Sequence, residues 1–547
     1  MSNKEAVKKL IALLGGYKKT IVVIIGCLLI STALNLCIPL LNRRIMDDGF
    51  IGGDKEVLLA MVLGSLLIYL ISSGIDLLKE KKRVDIAAKL QYALAEESYS
   101  HLIRMEAGYF TRHNYAEIMN SIREDVGNIA SIADESTFFV VTQIFGITGG
   151  MIGLLIIDWR MTLLVMLFIP VKYVVTRYFA RRRKQAVDTY ISDSQKYAAW
   201  FGDTIGGIRE VKLFGIAEDK HREFDEKQGK VICSQKELNM LMQWNSVTDV
   251  ILVQFLTTLI YIVGSNLVFA LQLSIGSVFA FITYSTYVTR PISAILNIGY
   301  LLSGIIPSTK RYYVFMEEAE EDEGAVYTVM PQPGAIEFRH VSFAYEEDKP
   351  VLENVNFKIS GGSKAALVGK NGSGKSTVID LLLRLYTPKQ GQILLNGREI
   401  GSLPLTEYRN LISVVSQDIY LFHDTIRNNI SLYVQIEDAQ ILEACRDSGL
   451  SEFIEEVSLD YPVGTNGMML SGGQKQKIAL ARALVHDRPI VVFDEATSGS
   501  DVCSEQQINS LLHTRLKDKT VIVIAHRQAV LSEVDQVVRL DEGKQKG

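Results

Sequence analysis

Over the first part of the chain, apolar residues gather into long unbroken runs: Thr20 to Leu41, Val57 to Leu78, Ser136 to Ile157, Met161 to Ala180, Val250 to Leu271 and Gly276 to about Ile306. Runs of roughly 20 residues can cross a hydrocarbon core of ~30 Å as helices, so the pattern predicts six membrane spans. The first run follows Lys18-Lys19 and lacks a small-residue exit, which favours a span over a cleaved signal segment. Short turns such as Asp158-Trp159-Arg160 join spans one and two, three and four, and five and six. Longer polar stretches, helix-favouring and poor in Gly and Pro punctuation, separate spans two and three and spans four and five. At ~1.5 Å per residue, helices running out and back over roughly 55 to 70 residues would project about 40 Å.

The basic residues orient these spans. Lys4, Lys8, Lys9, Lys18 and Lys19 precede the first, Lys79, Lys81, Lys82 and Arg83 follow the second, and Arg181, Arg182, Arg183 and Lys184 follow the fourth. The opposite loops are poorer in cations, Arg43 and Arg44 excepted, so both termini are expected in the cytoplasm. After Ile306 the chain turns polar, then acidic at Glu317-Glu318-Ala319-Glu320-Glu321-Asp322-Glu323. Such a run reads as a solvated helix end or linker with no binding role. Alternation of strand type begins at Ile336, which sets a membrane domain at 1–324 and a second domain at 325–547.

Within that second domain an apolar run, Ala365 to Val368, is followed by Gly369-Lys370-Asn371-Gly372-Ser373-Gly374-Lys375-Ser376-Thr377 and an apolar, helix-like segment. A glycine-rich loop between strand and helix turns backbone N–H groups and a helix N-terminus toward an anion. Here Lys375 would reach the β- and γ-phosphates of a nucleotide, and the Ser376 hydroxyl would sit on Mg²⁺. A further apolar strand, Ile490 to Phe493, ends in Asp494-Glu495. Asp494 is placed to hold Mg²⁺, and Glu495 to orient or deprotonate the attacking water.

Composition supports a membrane part joined to a polar one: 547 residues with 48% hydrophobic and 22% charged, and a mean hydropathy of +0.17. The net charge of −5 gives no reason to expect a nucleic-acid partner. Cys27, Cys37, Cys233, Cys445 and Cys503 are scattered with no CxxC pair, which points to neither a cysteine metal site nor a disulfide framework.

Leu470-Ser471-Gly472-Gly473-Gln474 resembles the LSGGQ signature of ATP-binding cassette (ABC) transporters, and the likeness extends over the whole second domain. It implies that Tyr345 stacks on adenine, that Gln417 bridges Mg²⁺ and the membrane part, that Asp501 is the D-loop aspartate and that His526 contacts the γ-phosphate. Ser471, Gly472 and Gly473 open a helix and form a second anion site, with Gln474 beside them. In that family one ATP lies between the phosphate loop of one cassette and the signature of another. This chain has one of each, so it should act as a homodimer or pair with a related half-transporter. The membrane half is similar to the exporter branch: Gly108-Tyr109-Phe110-Thr111-Arg112-His113 resembles a first coupling-helix region, and Gly207 to Phe214 the approach to a second. The fold implied is a six-helix membrane domain with long cytoplasmic extensions plus an α/β phosphate-loop ATPase, in a bacterial plasma membrane.

Three features depart from the family pattern: Ser498-Gly499-Ser500 before Asp501, Thr465 where exporters commonly carry Glu, and an end soon after Asp541-Glu542-Gly543 without the usual closing helix. Neither Glu495 nor His526 is affected, so the site is expected to be active.

Charged residues inside spans point to the cargo, because they are costly in lipid without partners or water. Arg290 in the sixth span and Lys172 in the fourth lie near mid-depth, with Tyr284 and Tyr287 about a turn from Arg290. Together they would line a face suited to a negatively charged substrate, the alternative being that Arg290 pairs with Asp76 or snorkels to water. Peptides, lipids and hydrophobic drugs all stay open as cargo, although no cysteine-protease domain precedes the first span to cut a leader peptide. The rival functions are an exporter-fold importer and a non-transporting, nucleotide-dependent regulator. A DNA-repair or chromosome-structure ATPase shares the signature but not the six spans.

Overall fold

The computed structural model describes residues 1–113, 115–133, 135–324, 334–346, 349–494, 509–524 and 532–546. The chain divides into two compact units. One comprises Met1–Ile103 and Ala116–Glu318; the other comprises Arg104–Tyr115 and Ala319–Gly547.

The first unit is helical. It contains α1 (Asn3–Leu14), α2 (Lys18–Arg44), α3 (Lys55–Arg104, whose last residue passes into the second unit), then, past the short α4 (Ala107–Arg112) of the second unit, α5 (Tyr115–Ala130), α6 (Glu135–Ile157), α7 (Trp159–Gly206), α8 (Ile208–Leu213), α9 (Ala217–Phe269) and α10 (Ile275–Phe315). Among the described residues four helical stretches are long and apolar enough to cross a membrane: Asn3–Ile51, Lys55–Arg104, Trp159–Gly206 and Ala217–Phe269. The third expected span falls in α6, whose described apolar part is Thr142–Ile157, and the sixth falls in α10. Helices of 50, 48 and 53 residues (α3, α7 and α9) each carry span and polar arm as one helix, Pro170 of α7 lying within its span and not between span and arm. Only 6% of the apolar window of α3 is buried, so its side chains are left for lipid or a partner.

Caps fix the tight ends of these rods. Asp158 accepts hydrogen bonds from the N–H groups of Arg160 and Met161 at 2.8 and 3.0 Å to start α7. Asp47 accepts one from Gly276 N–H at 2.8 Å at the start of α10. A core of Met161, Val165, Phe168, Leu256, Ile260 and Phe281 packs α7, α9 and α10, and Leu10 anchors α1 among Leu90, Leu94 and Ile129.

The second unit holds β1 (Ile336–Glu346), β2 (Lys349–Ile359), β3 (Lys364–Val368), α11 (Lys375–Leu382), β4 (Gln390–Leu395), β5 (Arg398–Glu399), α12 (Leu405–Arg409), β6 (Ile412–Val415), α13 (Ile426–Ser431), α14 (Asp438–Asp447), α15 (Ser451–Val457), α16 (Gly472–Val485), β7 (Ile490–Phe493), β8 (Thr520–Ile524), β9 (Gln536–Asp541) and β10 (Lys544–Lys546). One sheet runs β2-β1-β4-β5 and is antiparallel; the other runs β10-β9-β3-β8-β7-β6, parallel except for β10. Strand alternation splits the core between the two faces of the parallel sheet. Ile490, Val492, Ile522 and Ile524 pack with β1, β2 and α11, whereas Val491, Phe493, Val521 and Val523 pack with α13 to α16. The parallel register brings the C-terminal ends of β3, β8, β7 and β6 to one edge, where ligands bind in open α/β sheets.

The acidic run is more than the solvated linker expected of it. Glu321 forms a two-pronged pair with Arg409 and is largely covered, and Glu320 pairs with Arg104 at 3.2 Å. Carboxylates five positions into a charged run found fixed cations, which composition cannot foretell.

Phe338 and Phe357 stack across β1 and β2 with ring centres 4.5 Å apart in the covered core. Phe338→Ala should therefore destabilise this unit by about 3–5 kcal/mol. Val537→Ala, on an exposed strand position, should change it by less than ~0.5 kcal/mol. Thermal denaturation of the full chain in detergent compares the two.

Candidate functional site

At the edge of the parallel sheet, β3 ends at Val368 and the chain enters the loop Gly369–Gly374 before α11. Gly374 sits at φ +94° as the residue before the helix, and a Cβ there would collide with Leu352. At Gly369 a side chain would collide with the Leu540 carbonyl, so the backbone of β9 closes the loop from behind. Lys375 is buried, and its ammonium donates to the carbonyls of Gly369 and Lys370, both at 3.0 Å. The Ser373 hydroxyl is buried with no hydrogen-bond partner. A curled backbone, a helix N-terminus, a folded-back cation and an orphaned hydroxyl fit a polyphosphate, which offers the oxygens these groups can bond. Asn371, Gly372 and Ser376 are exposed on the loop and Thr377 is buried beneath it.

Asp494 follows β7 directly, with its N–H on the Val415 carbonyl of β6 at 2.9 Å. Gln417 is exposed two residues beyond β6. The register of the strands therefore gathers a hydroxyl (Ser376), an amide (Gln417) and a carboxylate (Asp494) at the same edge of the sheet as the loop. Hard oxygen donors of this kind suit Mg²⁺, which keeps several waters and shares phosphate oxygens. Among the described residues no cluster of three His, Cys, Asp or Glu could bind a metal independently of phosphate. Glu495, Asp501 and His526 lie outside the described residues.

Tyr345 ends β1 with its ring half exposed. Its hydroxyl donates to Asp380 Oδ2 of α11 at 3.1 Å and lies 3.2 Å from Thr377 Oγ1. Burial, with the nearby Asp380 carboxylate adding to it, pushes the Tyr345 hydroxyl up to about 12. Burial likewise raises Asp380 above the usual carboxylate range, against the lowering effect of the Tyr345 hydrogen bond. The free ring edge faces Tyr386, 5.1 Å away and perpendicular. Tyr386 in turn lies under α4, its ring close to Gly108 and its hydroxyl 3.5 Å from Thr111 Oγ1. Sequence reasoning missed Tyr386 and Asp380, since neither stands in a motif.

The signature stands on α16. Ser471 caps it, accepting from Gln474 N–H at 3.3 Å, while Gln474 Oε1 accepts from Ser471 N–H at 2.8 Å. Gly472 and Gly473 are exposed with open space in front of both, so a second positive helix end faces outward.

The four residues expected to face a cargo do not share one surface. Lys172 is fully buried and pairs with Asp249 of α9 at 2.8 Å. Tyr284 is buried in the α7–α9–α10 core and donates to the Leu36 carbonyl at 2.6 Å, and Tyr287 donates to the Asn35 carbonyl at 3.4 Å. Arg290 alone of the four is exposed. Asp76, the alternative partner for Arg290, pairs with Lys79 at 3.0 Å and accepts from Ser31. Helix packing has turned three of the four polar tips onto the protein itself.

Known proteins resemble the chain along nearly its whole length. The family described as ABC transporter transmembrane region matches residues 21–292, and that described as ABC transporter matches 352–498. The ATP-dependent lipid A-core flippase of Nitrosococcus oceani is 31% identical over 516 residues, covering 92% of this chain and 85% of the relative. The flippase of the same name from Chromobacterium violaceum is 29% identical over 548 residues, covering 98% and 93%. A bacterial Atm1-family ABC exporter solved with ATP bound shares the fold, with a TM-score of 0.83 and 23% identity over 97% of this chain and 95% of that one.

Asp380→Asn keeps an acceptor for Tyr345 and removes a charge that burial disfavours. A raised carboxyl costs the folded state nothing below the ordinary carboxylate range and most above its own raised value. Thermal denaturation should thus find the variant more stable than the parent at neutral pH, with the difference shrinking to nothing as pH falls below about 4.

Proposed function

The chain belongs to the ABC transporter family as an exporter-type half-transporter, an integral membrane protein that couples ATP hydrolysis to transport, and we propose that two copies of it form the working unit. The observation that carries this reading is the pair of anion-seeking helix ends on one cassette. The loop before α11 is backed by Lys375, and the Ser471-capped end of α16 opens outward. Each ATP would be held between the loop of one copy and the signature of the other. ATP binding would draw the cassettes together, and the membrane helices would pass from inward to outward facing as rigid bodies. The second coupling region supports a partner as well: Leu213 and Phe214, at the end of α8, are 68% and 77% exposed, which is costly unless another surface covers them.

Within each site Lys375 and the loop N–H groups orient the phosphates, and Tyr345 offers its exposed face to the adenine ring. Ser376, Gln417 and Asp494 would hold Mg²⁺, which supplies charge neutralisation at the β- and γ-phosphate oxygens when bound. Glu495 is the base for the attacking water and His526 the contact to the γ-phosphate, with Asp501 relaying between sites. We assign six spans, cytoplasmic termini and a bacterial plasma membrane.

For the cargo we infer an amphiphilic lipid with a negative headgroup. The relatives above are named ATP-dependent lipid A-core flippases, and Arg290 is an exposed cation inside the sixth expected span.

Glu495→Gln should leave ATP binding intact while turnover falls at least ~100-fold, as loss of a general base requires. Radiolabelled ATP binding and phosphate release measure both, and retained turnover removes Glu495 from the role. In proteoliposomes, Arg290→Gln should slow the flipping of a fluorescent anionic phospholipid about tenfold, the worth of one lost charge contact of ~1.4 kcal/mol. A neutral analogue should be unaffected, and equal loss for both lipids would contradict the headgroup assignment.

A further inference from the structure

The short α4 lies between the two long rods α3 and α5 in the chain, yet it folds with the cassette unit. The residues that tie it there come from the acidic run. Met105 and Glu320 form an antiparallel bridge, flanked by Glu321 N–H on the Arg104 carbonyl at 2.7 Å and Glu106 N–H on the Ala319 carbonyl at 3.3 Å. The Arg104 guanidinium adds a pair with Glu320, and Met105 is buried. Ala319–Glu321 is therefore a strap zipped to the entry of α4.

The same strap is clamped from its other side. Glu321 accepts from both arms of Arg409, at 2.8 and 2.7 Å. The remaining Arg409 donors go to the carbonyls of Leu383 and Arg384, at 3.1 and 2.9 Å, at the C-terminal end of α11. Arg384, held at φ +55°, donates to the Asp322 carbonyl, next after the strap, and to the Leu403 carbonyl, both at 2.7 Å. The residues just past the end of the helix that follows the phosphate loop are thus bonded to the strap, and the strap is bonded to α4. Side chains that meet several fixed acceptors at once transmit displacement, because they have one low-energy arrangement rather than many.

We propose that Glu321 and Arg409 are positioning residues that carry movement of α11 on nucleotide binding to α4, so that α4 and the strap move with α11 as one body. Neither residue belongs to the phosphate loop or the signature. Their role is to hold α4 and the strap to the end of α11, taking the two-copy assembly proposed above as the working unit. Arg409→Lys keeps the charge but cannot hold the fork and both carbonyls together, and Glu321→Gln keeps the shape but loses the two-pronged pair.

The test uses the full chain in lipid nanodiscs, with a spin label at exposed Glu96 on the arm of α3. The label-to-label distance between copies is measured with and without ATP and vanadate. In either variant, basal ATP hydrolysis should stay within about two-fold of the parent, because the catalytic set is untouched. The distance change should fall below about half the parent's, because the linkage between the two is cut. A full distance change in the variants, or hydrolysis and distance change lost in equal proportion, overturns the proposal. No distance between labels even in the parent would instead contradict the two-copy assembly. Should either variant fail to accumulate, Met105→Cys with Glu320→Cys provides a second arm. Bridge partners of this kind sit ~4.5 Å apart, within reach of a disulfide. If the strap and α4 move together, oxidation leaves the ATP-driven distance change intact; if oxidation abolishes it and a reductant restores it, the strap must unzip and the proposal fails.

Discussion

Two helix N-termini built to take anions are the constraint from which the molecule follows. The start of α11 is held open by glycine geometry and a lysine folded back on its own carbonyls. The start of α16 is capped by Ser471 and Gln474, which satisfy each other and leave Gly472 and Gly473 facing open space. Helix-end N–H groups that no backbone carbonyl satisfies, together with the positive end of the helix dipole, suit a phosphate. The cassette thus presents two separate helix ends of positive character, one behind the phosphate loop and one at the signature.

Everything else serves to make that closure do mechanical work. The parallel sheet fixes the loop, Asp494 and the turn leading to Gln417 at one edge. Tyr345 joins β1 to α11 through Asp380, and Tyr386 leans from there against α4. In the membrane unit α3, α7 and α9 each continue from span to arm as a single helix, with Pro170 inside the span of α7. Lys172, fully buried, pairs with the partly exposed Asp249 and so ties α7 to α9, since removing Asp249 would leave a buried charge unpaired.

The parts that were legible in the sequence are those in which local chemistry dictates local backbone. Gly369 to Ser376 and Ser471 to Gln474 carry their geometry in their glycines and caps, and the apolar runs announce helices by length alone. The cargo face read from Arg290, Lys172, Tyr284 and Tyr287 was not legible, because depth along a helix does not say which way a side chain points. Lys172 found Asp249, some 77 positions further on, and Tyr284 found a carbonyl of α2. The role of the acidic run was hidden for the same reason. Glu321 looks like one of several solvated carboxylates until the fold brings Arg409 to it.

The claim that nucleotide is shared between copies is tested most directly by mixing two dead variants. Lys375→Ala destroys the phosphate loop and Ser471→Arg blocks the signature, and each expressed alone should hydrolyse almost no ATP. Co-assembled, they leave one site in which an intact loop meets an intact signature, and hydrolysis should return to an appreciable fraction of the parent rate. If each chain instead completed its own site, both copies would remain defective and mixing would restore nothing.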